Sequence, residues 1–454
     1  MASAADQLAS GLNLSKFGQA TELKKRLWFT LGALIIFRML SFVPLPGIDP
    51  TQLNLLAQTT RGGVLDFFNT FSGGALERMS VIALGVMPYI TASIVVQLAT
   101  SLSPALAAIK KEGESGRKKL NQYTRYGTVA LTAVQGYVIA VGLETLGANQ
   151  GLTPVVDPGM LFRVAAVVSL IGGTMFLMWL GEQITSRGVG NGISLIIMAG
   201  IVAHLPTTLV QLFEGGRSGS MNPITLVAII AAVAGLVLFI CFMERAQRRI
   251  LIQYPKRQTQ RGMQSERSHL PLKINTAGVI PPIFASSLLL MPLTISQFAG
   301  QQQAGQGWWG DFIISLNQYL QHGSLVYMLL YGAGIIFFSF FYTAVVFNPE
   351  ETAENLKKYG GFIPGIRPGK NTEAYFDYVL TRITVIGAAY LTVICLLPEY
   401  LVSALAIPFY LGGTSLLIVV NVTMDTVTQI QSHLLAHQYG DLIKKAKLKG
   451  GRLR

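Results

Sequence analysis

Ten runs of roughly twenty mainly apolar residues recur along the chain, and no other feature limits the available folds so sharply. A peptide group in hydrocarbon has no water to bond, so each run must close its hydrogen bonds internally as a helix. The runs are Leu27–Val43, Ile82–Leu102, Tyr126–Leu146, Leu161–Leu180, Gly192–Leu212, Pro223–Met243, Thr276–Phe298, Leu325–Phe347, Tyr378–Leu397 and Leu405–Asp425. The 454 residues are 51% hydrophobic and only 13% charged, too little charge for a soluble domain. The expected fold is one all-α membrane domain of ten transmembrane helices, with no separate soluble part. Cys241 and Cys395 lie in different runs and read as small buried hydrophobes rather than a disulfide or metal pair.

Charge sets the expected orientation. Of the 35 Lys and Arg residues, 29 lie in the N-terminal arm, in alternate loops and in the C-terminal tail. The opposite loops hold only Arg61, Arg78 and Arg217. The positive-inside rule then places both termini in the cytoplasm, which requires an even number of spans. Much of the net charge of +13 is accounted for in this way without a nucleic-acid partner. No small-residue cleavage site follows the first run, so it reads as a retained anchor.

One nonapeptide is written twice. Gly85-Val86-Met87-Pro88-Tyr89-Ile90-Thr91-Ala92-Ser93 returns as Gly278-Val279-Ile280-Pro281-Pro282-Ile283-Phe284-Ala285-Ser286, with six of nine places identical. Each copy reads as a break in a membrane helix, because proline lacks a donor and glycine admits close backbone approach. The copies fall in the second span of each five-span half, and an odd-numbered half must insert upside down relative to its twin. This is the pattern of an inverted repeat around a central path. The expected halves are residues 1–214 and 215–454.

A shorter segment lies on the outer side: Arg61-Gly62-Gly63-Val64-Leu65-Asp66-Phe67-Phe68-Asn69-Thr70-Phe71-Ser72-Gly73-Gly74. It is apolar, too short to span, and flanked by glycine pairs. It reads either as an interfacial half-helix or as a movable plug, about residues 62–74, that folds into the path.

Several motifs then carry a resemblance. Ser72-Gly73-Gly74-Ala75-Leu76, Lys110-Lys111-Glu112-Gly113-Glu114-Ser115-Gly116-Arg117, Trp179-Leu180-Gly181-Glu182-Gln183-Ile184-Thr185, Arg187-Gly188-Val189-Gly190-Asn191-Gly192-Ile193-Ser194 and Gly365-Ile366-Arg367-Pro368-Gly369, with the first repeat copy, resemble the bacterial SecY family over essentially the whole chain. The resemblance implies a protein-conducting channel of the inner membrane, passing unfolded secretory polypeptides across the bilayer and membrane proteins into it. It also implies a hinge between the halves near Phe213–Asn222.

By the same resemblance, the pore ring is Val86, Ile90, Ile193, Ile197, Ile283 and Ile418. Aliphatic side chains strip an ion of water without replacing its ligands, yet offer a sliding backbone no bond. Ile90 and Ile283 hold the same place in the repeat. For any such aliphatic, a lipid-facing or helix-packing role is the alternative. The implied lateral gate runs between spans 2 and 3 and spans 7 and 8, with Pro88, Pro281 and Pro282 on it. Gln97 and Asn275 are candidates to bond across it, Asn275 being alternatively a polar helix start. The basic loops of about residues 244–273 and 348–377 are the implied docking surface for the SecA motor or the ribosome. Arg248, Arg249, Lys256, Arg257 and Arg367 are its candidate contacts, with ribosomal RNA phosphate as one target. Small subunits of the SecE and SecG kind and signal peptides complete the implied partners.

The sequence carries no phosphate-binding G-x-x-x-x-G-K-[ST] loop, since Gly369-Lys370 is followed by Asn371. No catalytic constellation, metal cluster or cofactor motif is read in the spans, and His433 and His437 read as surface residues. The chain is therefore expected not to be an enzyme. An ion-coupled solute carrier is the rival, because inverted repeats and broken helices suit it equally. Such carriers place ionisable ligands near the midplane, whereas Arg38, Glu144, Arg163, Glu182 and Arg382 lie at span ends. A scaffold for other membrane proteins is a third reading.

Overall fold

The computed structural model of the chain describes residues 21–59, 69, 71–149, 153–219, 222–254, 257–259, 262–264, 267–289, 292, 315, 319–320, 324–405 and 412–450. Helices stand at all ten expected places. They are α1 (Thr21–Leu40), α3 (Met87–Leu102), α5 (Glu114–Asn149), α6 (Met160–Arg187), α7 (Gly192–Arg217), α8 (Pro223–Arg245), α9 (Ile280–Leu289), α10 (Leu325–Val346), α12 (Lys370–Leu405) and α13 (Gly413–Gly450). Three shorter helices join them: α2 (Pro50–Thr59), α4 (Pro104–Lys111) and α11 (Pro349–Lys358). Among the described residues, α5, α6, α7, α8, α10 and α12 are each long and apolar enough to cross a membrane.

Local chemistry explains the boundaries. Pro104 forces Ser103 into an extended conformation, so α3 and α4 meet at a bend of 101° instead of running on. Asp49 caps α2, its Oδ1 accepting from the Thr51 hydroxyl at 2.5 Å and the Thr51 amide at 2.9 Å, with Pro50 behind it. Those bonds hold the Asp49 carboxyl below its ordinary pKa. α7 runs through Gly215 and Gly216 to Arg217, so part of the expected hinge is helical.

The chain forms two compact units. The first comprises residues 1–207, 297–304 and 422–454. Its core includes Ile94, Leu143, Leu170, Leu177, Ile184 and Ile196, all nearly inaccessible. α5 and α6 pack along their length and are clamped at both ends. Arg125 meets both carboxylate oxygens of Glu182 at 2.9 and 2.7 Å. Arg163 donates twice to Oε2 of Glu144, at 2.9 and 2.6 Å, and Glu144 also accepts from the Gly159 amide.

The second unit comprises residues 208–296 and 305–421. Its spans pack around Tyr327, Tyr331, Ile335, Leu391 and Leu417. The insert after α8, expected only as a basic loop, is a β-ribbon. β1 (Gln247–Gln253) pairs antiparallel with β4 (Arg267–Lys273), and β2 (Arg257–Thr259) with β3 (Gly262–Gln264). Ile250 and Ile252 on β1 and Leu272 on β4 turn inward, alternating with exposed Arg249 and Lys273. The insert after α10 folds onto this ribbon. Gln253 and Phe362 exchange backbone bonds at 2.9 and 3.0 Å, and Ile250, Leu272, Ala353, Ile363, Phe376 and Val379 share one core. The two inserts are thus one small body rather than separate loops.

Candidate functional site

Both copies of the repeated nonapeptide are built alike. Gly85 has φ +57° and Gly278 φ +65°, left-handed conformations that cost a side chain roughly 1–2 kcal/mol. Two residues later each helix begins, at Met87 and at Ile280. Pro88 and Pro281 are therefore second residues of their helices, where a missing N–H leaves nothing unpaired. The expected helix break is corrected on this point: each copy is a helix start preceded by a turn, and residues 82–86 of the expected second span are non-helical. The first i to i−4 bond of each helix joins the equivalent residues. The Ile90 amide donates to the Val86 carbonyl at 3.1 Å, and the Ile283 amide to the Val279 carbonyl at 3.4 Å.

The duplication extends beyond the matched residues. Val81 and Ile274 hold equivalent places, four residues before each repeat glycine. A Cβ added at Gly173 on α6 would stand 2.0 Å from the Val81 carbonyl oxygen, and one at Gly387 on α12 would stand 2.8 Å from that of Ile274. In each half, the fourth span presses a glycine against the backbone of the same turn.

Three of the ring candidates, Val86, Ile90 and Ile283, lie on or just after these turns. Val86, Ile90, Ile197 and Ile283 are buried, Ile418 is wholly inaccessible, and Ile193 is half-buried with Cγ1 close over Gly181. Outward positions on the same helices, Val95 on α3 and Leu288 on α9, are about half exposed. Burial excludes a lipid-facing position for the buried five, while helix packing gives the same burial as a ring. Ile418 lies one turn beyond Thr414, whose hydroxyl bonds the buried Tyr331 hydroxyl at 2.7 Å. Gly413 approaches so close to the Ile394 carbonyl that a Cβ there would lie 1.8 Å away. The start of α13 is thereby fixed against α10 and α12.

Of the plug candidates, Gly63, Val64, Leu65, Asp66, Phe67, Phe68 and Thr70 lie outside the described residues. Asn69 and Phe71 are buried in a knot at the segment's C-terminal end. Asn69 donates to Glu77 Oε2 at 2.9 Å and accepts from the Glu77 amide, while its carbonyl takes the Gly74 amide and the Ser72 hydroxyl. Gly200 on α7 lies against the Phe71 carbonyl, and Arg38 donates to the Gly73 carbonyl at 2.6 Å.

The gate candidates are partly occupied elsewhere. Gln97 is half-buried, and its amide nitrogen donates to Ser93 one turn back at 3.3 Å. Asn275 is buried, and its side-chain nitrogen donates to Glu244 Oε1 at 2.6 Å and to the Gly278 carbonyl at 3.1 Å. Pro281 and Pro282 are buried in the first turn of α9. Glu244 is a residue the sequence did not single out, because it reads there as one more charge at a span end.

On the insert body, Arg248 and Arg249 are exposed on β1. Lys256 lies outside the described residues, and of Arg257 only the backbone is described. Arg367 projects from a turn closed by Gly365 and Gly369, both at positive φ, and its carbonyl accepts from the Thr372 hydroxyl at 3.0 Å. Among the described residues no group of three His, Cys, Asp or Glu side chains is placed to hold a metal ion.

Comparison with known proteins follows the same lines. The SecY family model matches residues 80–427. The protein translocase subunit SecY of Escherichia coli K12 is 54% identical over 434 residues, 95% of this chain and 96% of that protein. The SecY subunit of Rickettsia conorii is 51% identical over 440 residues, 97% of this chain and all of that protein. Among solved structures, a protein-conducting channel superposes with a TM-score of 0.62 at 16% identity, covering 90% of this chain and 92% of that one. A SecY channel, whose plug domain is described as stabilising the closed state and maintaining a membrane seal, gives 0.63 at 18% over the same shares. Sec61 from the canine ribosome–channel complex of the endoplasmic reticulum gives 0.61 at 15%, again over 90% and 92%. Nothing in these relatives favours the solute carrier. Repeat, fold and kinship agree: the chain belongs to the SecY family of protein translocase subunits.

Proposed function

We propose that this chain is the protein-conducting channel of a bacterial inner-membrane translocase, moving unfolded polypeptides across the bilayer and hydrophobic segments sideways into it. The observation that carries the mechanism is the pair of like-built helix starts. Each sets a buried isoleucine, Ile90 or Ile283, on the first turn after a rigid glycine–proline bend. With Val86, Ile193, Ile197 and Ile418 they make an aliphatic ring that hydrated ions do not enter and an extended chain passes without being held. Residues 62–74 act as the plug, and the Asn69–Glu77 knot holds their C-terminal end. Residues 1–214 and 215–454 are the two halves, and α3 and α9 with their prolines border the lateral exit.

Both termini face the cytoplasm in this reading, which the distribution of Lys and Arg supports. The body formed by the two inserts lies on that side and receives the SecA motor or the ribosome through Arg248, Arg249, Lys256, Arg257 and Arg367. Small SecE- and SecG-like subunits accompany the chain in the membrane. Energy comes from these partners or from the proton-motive force.

Purified channel in vesicles tests the ring. Ile90→Ser with Ile283→Ser raises resting ion conductance, because hydroxyls offer partial ligands where aliphatics offer none. Conductance equal to that of the unaltered channel would refute the ring.

A further inference from the structure

The carboxylate of Glu244, at the end of α8, is 6% exposed and has no place in the ring, the plug or the docking surface. A carboxylate in such a setting persists only when it is held by donors. Asn275 provides one at 2.6 Å, and the second hydrogen of the same amide group closes on the Gly278 carbonyl. Both amide hydrogens are thereby occupied inside the turn that precedes α9. The Asn275 carbonyl oxygen remains for a bond across a seam.

The same turn is held from three other directions. The Ile274 amide donates to the Ala246 carbonyl at 3.0 Å, tying it to the residue just after α8. Gly387 on α12 presses against the Ile274 carbonyl and the Asn275 Cα. Asn421 on α13 lies within 3.7 Å of where a Gly278 Cβ would stand. The first repeat copy offers a natural contrast. There the equivalent of Asn275 is Ile82, 1% exposed, so that turn shares the backbone tie, Val81 amide to Val43 carbonyl at 3.0 Å, but has an apolar side chain where the second copy has an amide. The second copy has a hydrogen-bonding amide at the matching place, directional where packing is not.

We infer that Glu244 is a positioning residue for the channel: through Asn275 it pins the start of α9 to α8, makes that end the pivot of the helix, and so sets Ile283 in the ring. The inference rests on the pore reading above. Glu244→Gln keeps an acceptor for Asn275, whereas Glu244→Ala removes it and leaves a buried donor unpaired.

The test uses the full chain in lipid nanodiscs, with Cys241 and Cys395 changed to alanine and nitroxide labels at exposed Phe242 on α8 and Leu288 on α9. Pulsed electron resonance reads the distance distribution between them, and vesicles of the same variants give resting conductance. The unaltered chain and Glu244→Gln give one narrow distribution and a sealed channel. Glu244→Ala broadens the distribution and raises conductance several-fold. Asn275→Ala, which leaves the carboxylate in place, broadens it likewise and stands in should Glu244→Ala fail to accumulate. An unbroadened distribution in the alanine variants overturns the inference, as does broadening equally present in Glu244→Gln. Ile283→Ser measured alongside separates the two ideas: if it leaves conductance unchanged the ring is wrong, while the distance distributions still decide whether Glu244 pins α9.

Discussion

Gly172 and Gly173 are neighbours on α6, yet alanine at the two positions has opposite consequences. At Gly172 nothing lies within 4 Å of an added Cβ. There the substitution removes backbone freedom from the unfolded chain and favours helix by up to about 1 kcal/mol. At Gly173 the added Cβ falls 2.0 Å from the Val81 carbonyl oxygen and 2.8 Å from its carbon. Ordinary contact begins near 3.4 Å, so the turn and the helix must part by about 1.4 Å. The obstacle is backbone on both sides, and no side chain can swing away. Overpacking of this kind costs typically about 1–3 kcal/mol. Because Val81 opens the turn that aims Val86 and Ile90, the displacement reaches the ring as well. Thermal unfolding of the purified protein in one detergent, with vesicle conductance on the same samples, measures both effects. Gly173→Ala should unfold at lower temperature than the unaltered protein and leak ions, while Gly172→Ala should match or exceed its stability and stay sealed. Equal melting of the two variants would show that α6 does not press on this turn.

Other perturbations follow from the same geometry. Removing Arg163 leaves Glu144, whose side chain is only 9% exposed, without its charge partner and should lower stability more than removing Arg125 does, since that pair is 44% and 37% exposed. Comparing the two unfolding midpoints checks the ordering. Gly278→Ala, forced to hold φ +65°, should destabilise by about 1–2 kcal/mol although space is available, which chemical unfolding would detect. Arg367→Glu should abolish motor-driven translocation with topology intact, as read by protease protection of a secretory substrate in vesicles; full transport would refute the coupling role. The Asp49 carboxyl sits below its ordinary pKa through its bonds to Thr51, so its contribution to α2 is complete near neutral pH and vanishes as pH falls through that lowered value. Helix content of the channel followed by circular dichroism on acidification, against Asp49→Asn, which keeps an acceptor, checks the sign.

The places of the spans were legible because hydrocarbon imposes a length and a composition that a window of sequence reveals. The repeat was legible too, down to the register that equates Ile90 with Ile283. Its conformation was misread. Proline in a long apolar run looks like an interruption, and only backbone angles show that Gly85 and Gly278 end a turn and the prolines open a helix. The β-ribbon left a signal that charge counting hid, the short apolar run Ile250-Leu251-Ile252 in an otherwise basic stretch. Its shared core with the second insert could not be read, because Ile250 and Phe376 are brought together only by the fold. Glu244 was overlooked for a like reason: a charge at the end of an apolar run resembles a solvated boundary until its burial is known.

The two arginine–glutamate clamps on α5 and α6 have a spacing of their own. Arg125 to Glu144 is nineteen positions along one helix, and Arg163 to Glu182 is nineteen along the other. At about 1.5 Å per residue each interval measures about 28 Å, close to the thickness of a bilayer's hydrocarbon layer. The hairpin is a ruler as much as a brace. Sliding it by one turn toward either leaflet would drag a paired charge into oil, so the hairpin fixes its own depth in the bilayer.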